Sequence, residues 1–123
     1  MINYRQSKSI NLSRKGQTVS PNQIHTISSV IDKAYDKGIP VILFDRKTDS
    51  KKYTAFIGAD NYEVGHEMGH FIAQQLKGEG RIAEISGLKG SSPAIERNRG
   101  FMDALKAFPG IKVVSRRYAD WRR

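Results

Sequence analysis

Apolar residues recur along this chain in two alternating rhythms. Ile24, Ile27, Ile31, Ala34 and Tyr35 fall three and four apart, the spacing of one helical face. Ser20 offers an N-cap with Pro21 in the first helical position, and Gly38 supplies a stop. The unbroken run Ile39-Pro-Val-Ile-Leu-Phe44 predicts a buried strand over Val41–Phe44, followed by a polar loop over 47–52 and a short strand over 53–57. Asp60 caps a predicted helix over 61–76, with Gly65, Met68, Gly69, Ile72, Ala73 and Leu76 on its inward face. The turn at 77–80 leads to a strand over 81–86 and a glycine-rich loop over 87–92. Pro93 opens a helix to about residue 107 that buries Ile95, Met102 and Leu105, and Pro109-Gly110 turns the chain into a strand over 111–115. Short apolar strands alternating with helices predict an α/β fold, a three-layer α/β/α arrangement on a mostly parallel sheet. Residues 1–19 are polar and read as an irregular, frayed basic segment.

Charge changes this picture little. The net charge of +9 is concentrated at the ends: residues 1–31 carry four basic groups and no acid, and residues 111–123 carry five basic groups against Asp120. No helix bears a basic stripe and no aromatic-basic alternation offers a base-stacking surface, so no nucleic-acid partner is expected. With no cysteine, disulfides, thiolate metal sites and cysteine nucleophiles are excluded. Residues 1–18 lack the apolar segment of a signal peptide, and no run is long enough to span a membrane, so any membrane link is expected through a parent protein. At 123 residues the chain is one domain or a piece of one.

Chemistry concentrates at Asp45-Arg46, where the apolar strand ends on a carboxylate beside a guanidinium. The carboxylate accepts from hydroxyl groups while the guanidinium donates to ring and hydroxyl oxygens, a division suited to a polyhydroxylated ligand at the carboxyl edge of an α/β sheet. A competing reading comes from His66-Glu67-Met68-Gly69-His70, which satisfies H-E-x-x-H: two imidazoles one turn apart for zinc and a glutamate as general base. The context argues against a zinc hydrolase. Phe71-Ile72-Ala73 does not continue toward a third ligand, Glu79 and Glu84 lie in a turn and a strand, and both histidines flank the apolar face toward solvent. No metal is therefore expected. The loop over 87–92 precedes the helix opened by Pro93, where backbone N–H groups and hydroxyls face an oxygen-rich ligand or simply form a strand-to-helix turn. Arg97 lies in the first turns of that helix; Trp121, just past the last strand, is either a core plug or a platform for a sugar face.

The succession Gly38 to Arg46, Gly58-Ala-Asp-Asn61, Gly87 through Ser92, Glu96-Arg97 with Gly100-Phe101, and Ala119-Asp-Trp121 resembles the type I periplasmic sugar-binding proteins, of which the ribose- and galactose-binding proteins are familiar members. It looks closer still to the periplasmic sugar-sensing domains of bacterial hybrid two-component histidine kinases. The resemblance runs in order from Ser20 to Trp121 and implies two α/β lobes joined by a hinge, a small-molecule sugar as ligand, no enzymatic activity in this chain, no cofactor and a periplasmic location. By position it makes Asp45, Arg46 and Arg97 hydrogen-bonding groups, Trp121 the stacking ring, and Asp60 with Asn61 a hinge and helix-cap element. The end of the first lobe would be residues 20–52, and the hinge crossing and start of the second lobe 53–123.

Members of that family are about twice this length or more, so the resemblance implies a truncated piece with weakened sugar binding and exposed sheet edges open to self-association. The effector domain of a LacI-like transcription regulator shares the fold and the Asp-Arg strand end and is the alternative within it.

Overall fold

The computed structural model of the chain describes residues 16–119. Two compact units divide between Ala59 and Asp60. Each is an α/β unit with an all-parallel sheet.

The first unit contains β1 (Gln17–Val19), α1 (Ser28–Asp36), β2 (Val41–Phe44) and β3 (Ala55–Ile57). β2 is central, pairing in parallel with β1 through Thr18 and Ile42 and with β3 through Leu43 and Phe56. Its alternation is sharp: Val41 and Leu43 are buried against Ile27, Ile31 and Ala34, while Phe44 is exposed. Those side chains, with Val19, form one core, and Ile39, Tyr53 and Phe56 pack against it. This is a βαβ unit whose β-branched strand and amphipathic helix bury one face each.

Three expectations change here. Residues 17–19 form a strand rather than part of an irregular segment, because pairing with β2 supplies main-chain bonds whatever the side chains; Val19 is in the core. An exposed threonine is well tolerated on such an outer strand. α1 begins at Ser28, not Ser20, with residues 22–27 bent. The Ile24 carbonyl, which a helix would bond to the Ser28 N–H, instead accepts from the Asp49 N–H at 3.1 Å and the Ser28 hydroxyl at 3.2 Å, and Pro21 is fully buried. β3 pairs with β2, so residues 53–59, expected with the second lobe, pack with the first unit.

The second unit contains α2 (Asn61–Gln75), β4 (Glu79–Ser86), α3 (Ser92–Leu105) and β5 (Gly110–Tyr118). The Asp60 carboxylate accepts the Glu63 N–H at 3.1 Å and caps α2. β4 and β5 pair from Glu79 with Gly110 to Ser86 with Tyr118, and a bulge after Ile82 shifts the register so that Ala83 faces Ser115. Ala73, Leu105 and Ile111 form the core, closed by Leu76, Ile82, Phe101, Phe108 and Val113. No helix among the described residues is long and apolar enough to cross a membrane.

α2 meets α3 through glycine. A Cβ on Gly65 would lie 2.0 Å from the Arg97 carbonyl oxygen, and one on Gly100 would lie 2.0 Å from the Tyr62 carbonyl oxygen. The contact is reciprocal, backbone against backbone. It also explains two misplaced side chains. The buried face of α2 is the small-residue face of Gly65, Gly69 and Ala73, leaving Met68 56% exposed; Ile95, expected inside α3, is 46% exposed.

Alanine at Gly65 or Gly100 should force the two helices apart and destabilise the second unit by about 3 kcal/mol. Urea unfolding of each variant measures the loss; midpoints within error of wild type would contradict the close backbone contact.

Candidate functional site

β2 leaves its sheet through an unusual residue. Asp45 has φ of 65°, and the Arg46 N–H donates to the Phe44 carbonyl at 2.7 Å, closing a three-residue turn around it. That bond with positive φ is the rarer, strained form of the γ-turn. The Asp45 N–H is held by the Ile57 carbonyl at 2.8 Å, so β3 fixes the turn from the side. Strained backbone of this kind costs about 1–3 kcal/mol and concentrates where side chains must be aimed.

The Asp45 side chain is exposed and its Oδ2 lies 3.5 Å from Arg46 Nε. Arg46 is 22% exposed, and its Nη1 donates to Asn22 Oδ1 at 3.1 Å and reaches the Asn22 carbonyl at 3.5 Å. Two buried atoms here, Arg46 Nε and Thr48 Oγ1, have no hydrogen-bond partner among the described residues. Two segments at this sheet edge, 22–28 and 45–52, are tied together. The Asp49 carboxylate accepts from the Ser28 hydroxyl and lies 2.6 Å from His25 Nδ1. The Ser28 hydroxyl and then His25 hold that carboxyl below its usual value of 3.8. Further along, Ser50 Oγ donates to Asp32 at 2.5 Å and Lys52 Nζ to Asp36 at 2.8 Å, fastening the loop to α1.

In the second unit Arg97 Nε donates to Asn61 Oδ1 at 2.8 Å. Asn61 is the first residue of α2 and only 3% exposed. The loop over 87–91 turns through Gly90 at φ 82°, but Ser91 does not cap α3 with its side chain; its hydroxyl donates to the Leu88 carbonyl at 2.9 Å. Ser91 and Ser92 are both buried, so their hydroxyls face inward. A cavity of about 120 Å³ opens between this loop and the end of β5, lined by Ser86, Lys89, Ala94, Asn98 and Tyr118. It is below the roughly 300–1,000 Å³ of ordinary small-molecule sites. Behind it, Glu84 accepts from Asn98 Nδ2 at 2.9 Å and from Arg116 Nε at 2.7 Å, clamping α3 to both strands.

The structure thus joins Asp45 to Arg46 in the first unit and Arg97 to Asn61 in the second. Trp121 lies outside the described residues. Asn22 was not singled out from the sequence; the signal was a polar residue straight after Pro21 where β1 gives way to the bend. His66 and His70 are half-buried rather than exposed. Their rings meet edge to face at 4.7 Å, Tyr62 stacks 6.0 Å from His66, and His70 abuts Phe108 at 5.8 Å. Glu63, His66 and Glu67 bring ligand atoms within 4.8 Å of one another, a different set from the H-E-x-x-H triad. His70 instead joins the ring contacts that run to the Phe108 end of the core.

The two units are parallel α/β units, and the central strand of the first ends on the Asp45-Arg46 pair. Residues 15–123 match the periplasmic binding protein domain model, and the chain belongs to that family. It is 35% identical over 98 residues to the galactofuranose-binding protein YtfQ of Escherichia coli strain K12, covering 76% of this chain and 31% of that protein. It is 30% identical over 105 residues to the ribose import binding protein RbsB of Bacillus subtilis strain 168, covering 85% and 34%. Among solved structures it resembles the fructose-binding periplasmic domain of the hybrid two-component system BT1754, with TM-score 0.85, 49% identity, and coverage of 89% of this chain and 37% of that one. The chain therefore spans about a third of the length of the curated relatives it matches.

Glycine at position 45 should be at least as stable as aspartate, and valine at least about 1 kcal/mol less stable than glycine, because a β-branched residue resists positive φ. Denaturant midpoints of Asp45→Gly and Asp45→Val read this directly; equal midpoints would remove the strain argument.

Proposed function

We propose that this chain is a monosaccharide-binding domain of a periplasmic sensory or solute-binding protein. Asp45 accepts from sugar hydroxyls, Arg46 and Arg97 donate to sugar oxygens, and Trp121 stacks on the ring. The observation that carries the reading is the Asp45-Arg46 pair on its strained turn, an exposed carboxylate beside a partly buried guanidinium at the end of a buried strand. The 49% identity to the fructose-binding periplasmic domain of a hybrid two-component system, against 30% to a ribose import binding protein, favours the sensory branch over the transport branch. The domain is a binding module, and any kinase activity belongs to a parent protein.

Affinity should be low. One carboxylate, two guanidiniums and a ring exchange water contacts for sugar contacts at a small net gain each, against the cost of immobilising the ligand. Titration of the isotope-labelled chain with D-fructose and D-ribose should shift the amides of Asp45, Arg46 and Arg97 with a dissociation constant weaker than about 1 mM. Micromolar affinity would overturn the low-affinity argument, and shifts that avoid these residues would overturn the site.

Self-association is part of the same proposal. β4 pairs only with β5 among the described residues, and Ile85 on β4 is 81% exposed. An open strand edge beside exposed apolar side chains favours pairing with a second copy. Sedimentation velocity should show weight-average mass rising with concentration; one monomer boundary at every concentration would contradict it.

A further inference from the structure

Three arginines among the described residues show two ways of being held. Arg116 donates through Nε to the Glu84 carboxylate at 2.7 Å, and the same carboxylate receives Asn98. That is charge neutralised in a half-buried clamp, a structural use. Arg97 is instead hydrogen-bonded to the neutral carboxamide oxygen of Asn61, and Arg46 to that of Asn22, with the Asp45 carboxylate 3.5 Å from its Nε as an ion-pair neighbour. A carboxamide orients a guanidinium without cancelling its charge.

We infer that Asn22 and Asn61 are positioning residues that fix Arg46 and Arg97 for ligand. The inference rests on the sugar-binding reading for its ligand, but its geometry stands independently in each unit. An unheld arginine carries rotamer entropy that binding would otherwise have to remove. Asn61 is a rigid anchor: buried, in the first turn of α2, directly after the Asp60 cap. The backbone of Arg97 is pressed on α2 at Gly65, so both ends of that side chain refer to one helix. The bond takes Nε, the inner nitrogen, and not the terminal amines of an exposed side chain. Asn22 follows the fully buried Pro21, and it engages Nη1 of Arg46 through both its side chain and its carbonyl. The Asp45 carboxylate lies 3.5 Å from Nε as an ion-pair neighbour without a hydrogen bond, so the directional hold on the fork is the Asn22 contact at Nη1.

The test reads the arginines first and sugar second. In the wild-type chain the Arg97 Nε–H resonance should be ordered and slow to exchange. It should remain so in Asn61→Asp, which keeps an acceptor, and become mobile in Asn61→Leu with the fold intact. Asn22→Ala should mobilise the Arg46 side chain in the same way, and its half-buried position keeps the test available if Asn61→Leu does not fold. With D-fructose as probe, the initial slope of amide shift against sugar concentration should fall about fivefold or more in Asn22→Ala and Asn61→Leu, as loss of a bond to a charged group implies. Asn61→Leu should add nothing in an Arg97→Ala background. Arginine side chains as ordered in the variants as in wild type would overturn the inference. Ordered arginines in a wild-type chain that shows no fructose response would instead overturn the sugar reading and leave the anchoring intact.

Discussion

Everything at the candidate site depends on how β2 ends. A strand paired on both sides cannot drift out of its sheet; it must turn within one or two residues while its neighbours still hold their bonds. β2 does so at Asp45, pinned by the Ile57 carbonyl on one side and by the Arg46-to-Phe44 bond across the turn. The core beneath makes the strain tolerable: Val41 and Leu43 are locked under Ile31 and Ala34, so relaxing the turn would mean disturbing the best-packed part of the unit. Asp45 and Arg46 consequently leave one fixed point side by side, their charged groups 3.5 Å apart, and Asn22 and Asp49 hold the surrounding segments against it.

The second unit reaches the same end without strain at its arginine. The backbones of α2 and α3 touch at Gly65 and Gly100, so α3 carries Arg97 as part of a two-helix block. Asp60 caps α2 and Asn61, the next residue, reaches Arg97, so capping and side-chain anchoring share one turn of helix. An element read from the sequence as a hinge or cap therefore has a cap on one residue and an arginine anchor on the other.

Much of this was legible in the chain. The Ile39-to-Phe44 run, the Asp60 cap and the Pro93 start each have a local cause, and each element lies within a few residues of its expected place. What was not legible has a non-local cause. β1 is a strand because β2 lies beside it, and residues 22–27 leave the helical path because Asp49 and Arg46, more than twenty positions away, take their backbone carbonyls. Met68 and Ile95 were misplaced because apolar periodicity assumes that large residues face inward, whereas glycine contact between backbones puts the smallest residues inside. Asp45 could be named from its position at a strand end; its positive φ could not, since nothing in an Asp-Arg pair announces a γ-turn.

On the proposed sugar-binding reading, the choice of anchor separates an arginine that builds the fold from those assigned to a ligand. Were Arg97 held by a carboxylate at 2.7 Å, as Arg116 is by Glu84, an arriving hydroxyl would compete with a full negative charge for the same hydrogens. A carboxamide offers a weaker, neutral acceptor, so the guanidinium keeps its charge for the ligand while losing most of its conformational freedom in advance. For a sugar, whose hydroxyls give up nearly equal bonds to water, that advance ordering decides between a site and a polar surface. On that reading the strain at Asp45 and the asparagine bonds would serve one requirement: donors and acceptors fixed before the ligand arrives.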